Sequence, residues 1–82
     1  VSNLSPTDAP QATYDAVLWV LREYGLARID DEWMRPRLAE FSTTQLKELI
    51  AAMGRMQSRY PQTITSELIS TLKEYYDVAT QR

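Results

Sequence analysis

Asp30, Asp31 and Glu32 are three consecutive carboxylates, the side chains whose type and spacing could hold a metal ion or share a proton between two acids. The rest of the chain gives that chemistry little support. There is no histidine and no cysteine, which removes the usual zinc ligands, the thiol nucleophiles and the commonest general base. Nor is there a Gly-rich phosphate loop, a Walker pattern or a nucleophile elbow. A simpler use accounts for the triplet. It precedes Trp33 and Met34 at what reads as a helix start, with Asp30 as the expected N-cap. Asp31 and Glu32 then lie where the helix dipole favours negative charge. Ile29 and Met34 are spaced as a hydrophobic staple across the cap. Asp15, Glu23, Glu40, Glu48, Glu67, Glu74 and Asp77 fall at helix-surface spacings and read as solvated charges. No catalytic site, no metal site and no cofactor is expected.

The basic residues offer a second chemistry. Arg35 and Arg37 flank Pro36, Arg55 and Arg59 share one face of an expected third helix, and Arg28 is expected near the first pair. Only Lys47 and Lys73 are lysines, so the cations are mainly guanidinium forks, which grip carboxylate or phosphate bidentately. Surface ion pairing with Glu32, Glu40 and Glu48 is the favoured reading. The net charge of −2 argues against phosphate, because nucleic-acid affinity comes largely from a basic excess. The junction Tyr60-Pro61-Gln62-Thr63 has about the length of a helix-turn-helix turn. The helix that follows it, however, carries Glu67, Glu74 and Asp77, which phosphate would repel.

Aromatic residues point elsewhere. Tyr14, Trp19, Tyr24, Trp33, Tyr60, Tyr75 and Tyr76, with Met34, Met53 and Met56, exceed what a small helical core needs. Tyr, Trp, Met and Arg are enriched at protein interfaces. The candidate partner-binding residues are therefore Trp19, Trp33, Arg35, Arg37, Arg55, Arg59, Tyr60 and Tyr76.

Four helices must position these side chains. The first follows a loose arm over residues 1–7, with Thr7 or Asp8 as cap and Pro10 in the first turn. Tyr14, Val17, Leu18 and Leu21 line one face of it. Trp19 and Val20 fall off that face, so a helix this apolar is expected at the centre of the bundle or under a partner. Gly25 stands where a left-handed C-cap is expected, and Leu26 can fold back over the last turn. The second helix is expected to be short and bent at Pro36, with Trp33, Leu38 and Phe41 facing inward. Ser42 and Gln45 form a capping box, with Phe41 and Leu46 stapled across it. The third helix carries Leu46, Leu49, Ile50, Met53, Met56 or Gln57, and Tyr60, with Gly54 at either a close helix crossing or an indifferent position, and Pro61 ends it near Tyr60. Thr63 is the expected cap of the fourth, striped by Ile64, Leu68, Leu72, Tyr75 and Ala79. No stretch alternates long enough to be a strand.

Eighty-two residues make one domain, a single all-α, compact four-helix unit over residues 1–82 that buries roughly 60–65% of its unfolded surface. The longest apolar run, Ala16–Leu21, is too short to span a membrane. Val1–Pro6 lacks the basic region and apolar core of a signal peptide, and a cytoplasmic location is expected.

From Trp33 onward the chain shows a particular series: Trp33, Leu38, Phe41, Leu49, Ala52 and Arg55, then Tyr60-Pro61-Gln62-Thr63-Ile64 and Glu67-Leu68. It resembles the N-terminal helical domain of phage replicative-helicase loader/inhibitor proteins, which have a Trp, an amphipathic helix and an aromatic-Pro-Pro-Thr-Ile run leading into Glu-Leu or Glu-Ile. Here Gln62 replaces the second Pro, and two residues separate Ile64 from Glu67 rather than one. The resemblance covers Trp33–Leu68, under half the chain. It implies a phage-type or plasmid-type, non-enzymatic protein of DNA replication that binds a replicative helicase. Three functions follow as expectations. The first is a protein-binding adaptor or inhibitor. The second is a nucleic-acid-binding regulator using Arg28, Arg35, Arg37, Arg55 and Arg59. The third is an obligate homo-oligomer that hides the extra apolar face of the first helix.

Overall fold

The computed structural model describes residues 8–81. Four helices, α1 (Gln11–Tyr24), α2 (Met34–Glu40), α3 (Thr43–Met56) and α4 (Ser66–Thr80), are joined by short loops, and a 3-10 turn over Gly25–Arg28 follows α1 directly. There is no strand among the described residues, so the all-α four-helix class expected from the periodicity is the class observed. The arm over residues 1–7, and Thr7 as a cap, lie outside the described residues.

The centre of the domain is not where the apolar pattern puts it. α3 and α4 form the most extensive helix pair, and α1 and α2 each lie against one or both of them. Leu46, Leu49 and Met53 of α3 are fully buried against Leu68 and Leu72 of α4. Met34 and Leu38 enter from α2, and Phe41 and Ile64 from the loops before α3 and α4. α1 contributes only Val17 and Leu21 as fully buried residues. These two lie one turn apart. Trp19, two residues on from Val17, stands about 200° round the helix and points away from the core. Apolar content alone does not separate a wrapped helix from one with an uncovered side; the structure shows the second.

Several helix ends depart from expectation for local reasons. α1 begins after Pro10, with no side-chain cap from Asp8. Its entry is held from a distance by Gln45, whose Oε1 accepts from the Ala9 N–H (2.9 Å) and whose Nε2 donates to the Ala9 carbonyl (2.9 Å). The amide thus pairs with Ala9 as a peptide group would. The same Oε1 accepts from the Ser42 N–H (3.2 Å) while Ser42 Oγ accepts from the Gln45 N–H (3.1 Å). The expected capping box is therefore present, and its glutamine also anchors the chain before α1. All of this satisfies a buried polar side chain.

α2 has Trp33 at its N-cap position and no side-chain cap there; the turn leading into it is held by Asp31, not by the expected Asp30. Asp31 Oδ1 accepts from the Trp33 N–H (2.7 Å), and its carbonyl accepts from the Met34 and Arg35 N–H groups (2.9 and 3.0 Å). Asp30 is an exposed residue paired with Arg35. α2 starts at Met34, so Pro36 falls in the first turn, where its missing N–H would have had no helical partner. Thr65, not Thr63, caps α4 by accepting from the Leu68 N–H (3.2 Å). Thr63 belongs to the preceding turn, where it donates to the carbonyls of Arg22 (2.9 Å) and Tyr60 (3.3 Å).

Gly25 has the expected positive φ, but its φ of 57° and ψ of −139° put it outside the left-handed helical region. A Cβ there would stand 2.2 Å from the Thr63 carbonyl oxygen. The end of α1 and the α3–α4 loop therefore meet backbone to backbone, a contact open only to glycine. Leu26, in the 3-10 turn after α1, stays partly exposed. A Cβ on Gly54 would meet no atom within 4 Å, which rules out a close helix crossing there.

Candidate protein interface

Five large hydrophobic side chains are exposed among the described residues: Trp19 (48%), Tyr24 (47%), Leu26 (37%), Tyr60 (36%) and Val78 (62%). The first four lie on two adjoining segments, α1 with the turn that follows it and the α3–α4 loop, which meet at Gly25 and Thr63. Trp19 and Tyr24 meet edge to face with ring centroids 5.9 Å apart. Arg28 lies over the Tyr24 ring at 5.5 Å and Arg22 over the Tyr60 ring at 6.0 Å. The Gly25–Thr63 contact and the Thr63–Arg22 hydrogen bond hold the two chain segments together beneath these rings.

Arg22 is paired with Glu23 at 3.3 Å and Arg28 with Asp31 at 3.3 Å, pairs on partly exposed side chains that add little to stability. They keep the guanidinium groups beside the tyrosines. Among the described residues no cluster of three or more His, Cys, Asp or Glu side chains could hold a metal ion, and Asp30, Asp31 and Glu32 do not converge. The exposed parts of the three aromatic rings and Leu26 sum to roughly 300 Å², and exposed aromatic side chains of this kind are enriched where proteins meet.

The structure divides the eight residues singled out from the sequence. Trp19 and Tyr60 share the aromatic end, and Arg59 directly precedes Tyr60. Arg59 lies in the turn after α3 rather than on it, since α3 stops at Met56. Arg55 is exposed near the last turn of α3. Trp33 and Arg37 form a separate, inward-looking pair. The Arg37 guanidinium sits 4.3 Å from the Trp33 ring centroid and donates to the Trp33 carbonyl at 2.6 Å, which fixes the start of α2. Arg35 pairs with Asp30 at 3.1 Å. The arginines of this region thus use Asp30 and Asp31, not the expected Glu32, Glu40 and Glu48. Tyr76 is half-buried against the core.

Tyr24, Leu26, Arg22 and Arg28 complete the aromatic end, and residue type and spacing do not group them with it. One signal is present in the chain: Trp19 falls opposite the Val17–Leu21 line, so its neighbours beyond the end of α1 are candidates for the same uncovered side. Tyr14 lies elsewhere, stacked on Phe41 with centroids 5.8 Å apart. Burial, with smaller contributions from the charges of Glu48 and Asp15, raises its phenol pKa above the ordinary value against the opposing pull of Arg55.

Comparison of the chain with family models, with curated proteins and with solved structures gives no match. No helix among the described residues is long and apolar enough to cross a membrane.

Proposed function

We propose that this chain is a non-enzymatic protein-binding module, an adaptor or inhibitor acting in the cytoplasm through Trp19, Tyr24, Leu26 and Tyr60. The observation that carries the reading is that four of the five exposed large hydrophobic side chains lie on the two segments joined at Gly25 and Thr63, with Trp19 and Tyr24 in edge-to-face contact. Exposed aromatics beside arginines are the composition of an interface centre and its strongest contacts. The residues that carry the resemblance to helicase loader/inhibitor domains include Tyr60 and Thr63, both part of this end. A replicative helicase is accordingly the specific partner proposed.

Nucleic-acid binding by the arginines is the weaker reading. Arg28 and Arg35 are neutralised by neighbouring carboxylates, and Arg37 is held on Trp33. The two readings separate in a pull-down with the immobilised chain, using nuclease-treated and untreated lysate at low and moderate salt. One protein retained in fixed stoichiometry at both salts supports the adaptor, and a helicase in that position supports its specific form. Nucleic acid recovered at low salt and lost at moderate salt, or capture of the chain by itself alone, overturns it.

A further inference from the structure

α4 has a second stripe beside its core face, with Tyr75 packed partly against the core and Val78 and Glu74 exposed. Leu68, Leu72 and Ala79 face inward. Thr71, Glu74, Tyr75 and Val78, at the i, i+3, i+4 and i+7 spacing of one face, line an open groove of about 370 Å³ against Leu38 of α2 and Asp30. Val78, the most exposed large hydrophobic among the described residues, stands in its wall, and the groove shares no residue with the aromatic end. The charges at the groove are of one sign. Asp30 and Glu74 line it and no cation does. Asp30 is answered by Arg35, while Glu74 and the neighbouring Asp77 make no ion pair among the described residues. α4 as a whole carries Glu67, Glu74 and Asp77 against Lys73 alone.

We propose that this groove is a second docking site, and that its occupant is a cationic amphipathic helix of a partner protein. A trough between two helices accepts a third helix through side chains one turn apart. An aliphatic side chain of that helix packs between Tyr75 and Val78, over the buried Leu38. A Lys or Arg one turn away reaches Glu74 and Asp77, where the uncompensated negative charge favours it and rejects an acidic helix. The proposal does not depend on the aromatic end. With that end, it would give the domain the two separate surfaces an adaptor needs.

The test uses the isotope-labelled full chain and two model peptides of equal length and apolar face, one of Lys and Leu, the other of Glu and Leu. The Lys/Leu helix is expected to shift the amide signals of Leu38, Thr71, Tyr75 and Val78 and to leave those of Trp19 and Tyr24 in place. The Glu/Leu helix is expected to bind at least tenfold more weakly. Glu74 is exposed, so Glu74→Lys keeps the fold. It is expected to weaken the Lys/Leu helix about tenfold and to tighten the Glu/Leu helix, the pattern of a charge contact at a rim. Equal binding of the two peptides, shifts confined to the aromatic end, or no binding at millimolar peptide would overturn the proposal. So would groove shifts that appear on raising the concentration of the chain alone, because a second copy would then be the occupant.

Discussion

The two described glycines make a matched pair whose substitution by alanine should move stability in opposite directions. At Gly25 a Cβ would lie 2.2 Å from the Thr63 carbonyl oxygen and 3.0 Å from its carbon, on a backbone with φ of +57°. The unfavourable backbone region costs about 1–3 kcal/mol. The carbonyl must also retreat by about 1.2 Å or more to reach ordinary contact distance, a shift of Thr63 that disturbs its Oγ1–Arg22 hydrogen bond at a further cost of about 1 kcal/mol. Gly25→Ala is thus expected to destabilise by about 3 kcal/mol. A domain of this size has a total of roughly 4–12 kcal/mol, and the melting temperature should fall by roughly 12–24 °C. At Gly54 nothing lies within 4 Å and the residue is inside α3. Gly54→Ala should stabilise by about 0.5–1 kcal/mol through helix propensity alone, raising the melting temperature by roughly 2–8 °C. Thermal and urea unfolding followed by circular dichroism measure both. A Gly25→Ala protein within about 1 kcal/mol of the parent would refute the backbone-to-backbone joint, and a destabilised Gly54→Ala protein would refute the open position of Gly54.

Two further substitutions test how the fold is held. Gln45→Ala removes the amide that joins Ala9 to Ser42 and should cost about 2 kcal/mol, with faster hydrogen exchange at the Ala9 and Ser42 amides; exchange unchanged at Ala9 would contradict the bridge. Tyr14 has a folded pKa above its unfolded value of about 10, so its share of stability is intact below that pH and is lost as pH rises through the folded pKa. Tyr14→Phe cannot ionise, so its urea midpoint should gain on that of the parent as pH rises above about 10, and a difference that is constant with pH would show that the half-buried phenol does not titrate against the fold.

Much of this architecture is legible in the chain because it is local. Ser42, Gln45, Phe41 and Leu46 specify a helix start within a few positions, and the Leu46–Leu49–Met53 and Leu68–Leu72 lines specify the two helices that pair. The departures turn on choices between nearby, chemically similar residues. Asp30 and Asp31 can both cap, and Thr63 and Thr65 can both cap; the turns ending at Asp31 and Thr63 decide, and those depend on tertiary contacts such as Gly25 against Thr63. The Gln45–Ala9 pairing spans 36 positions, and neither residue type signals it. The candidate interface is half legible. Trp19 and Tyr60 stand out by type, but Tyr24, Leu26 and the arginines stacked beside them are joined only by the fold. Trp33 and Arg37 are equally available by type, and only their mutual contact accounts for both.

Whether the aromatic end binds another protein is tested most directly with a pair of surface variants. Trp19→Ala combined with Tyr24→Ala removes the centre of that end, and both residues are exposed enough to leave the core intact. Val78→Ala serves as a control on the α4 groove. Affinity for the protein captured by the parent chain is measured by calorimetry at moderate salt, with circular dichroism confirming the fold of each variant. A loss of about 100-fold or more for the aromatic pair, as expected of interface anchors, with less than about threefold for Val78→Ala, is the predicted result. Undiminished binding by a folded Trp19→Ala, Tyr24→Ala chain would contradict it.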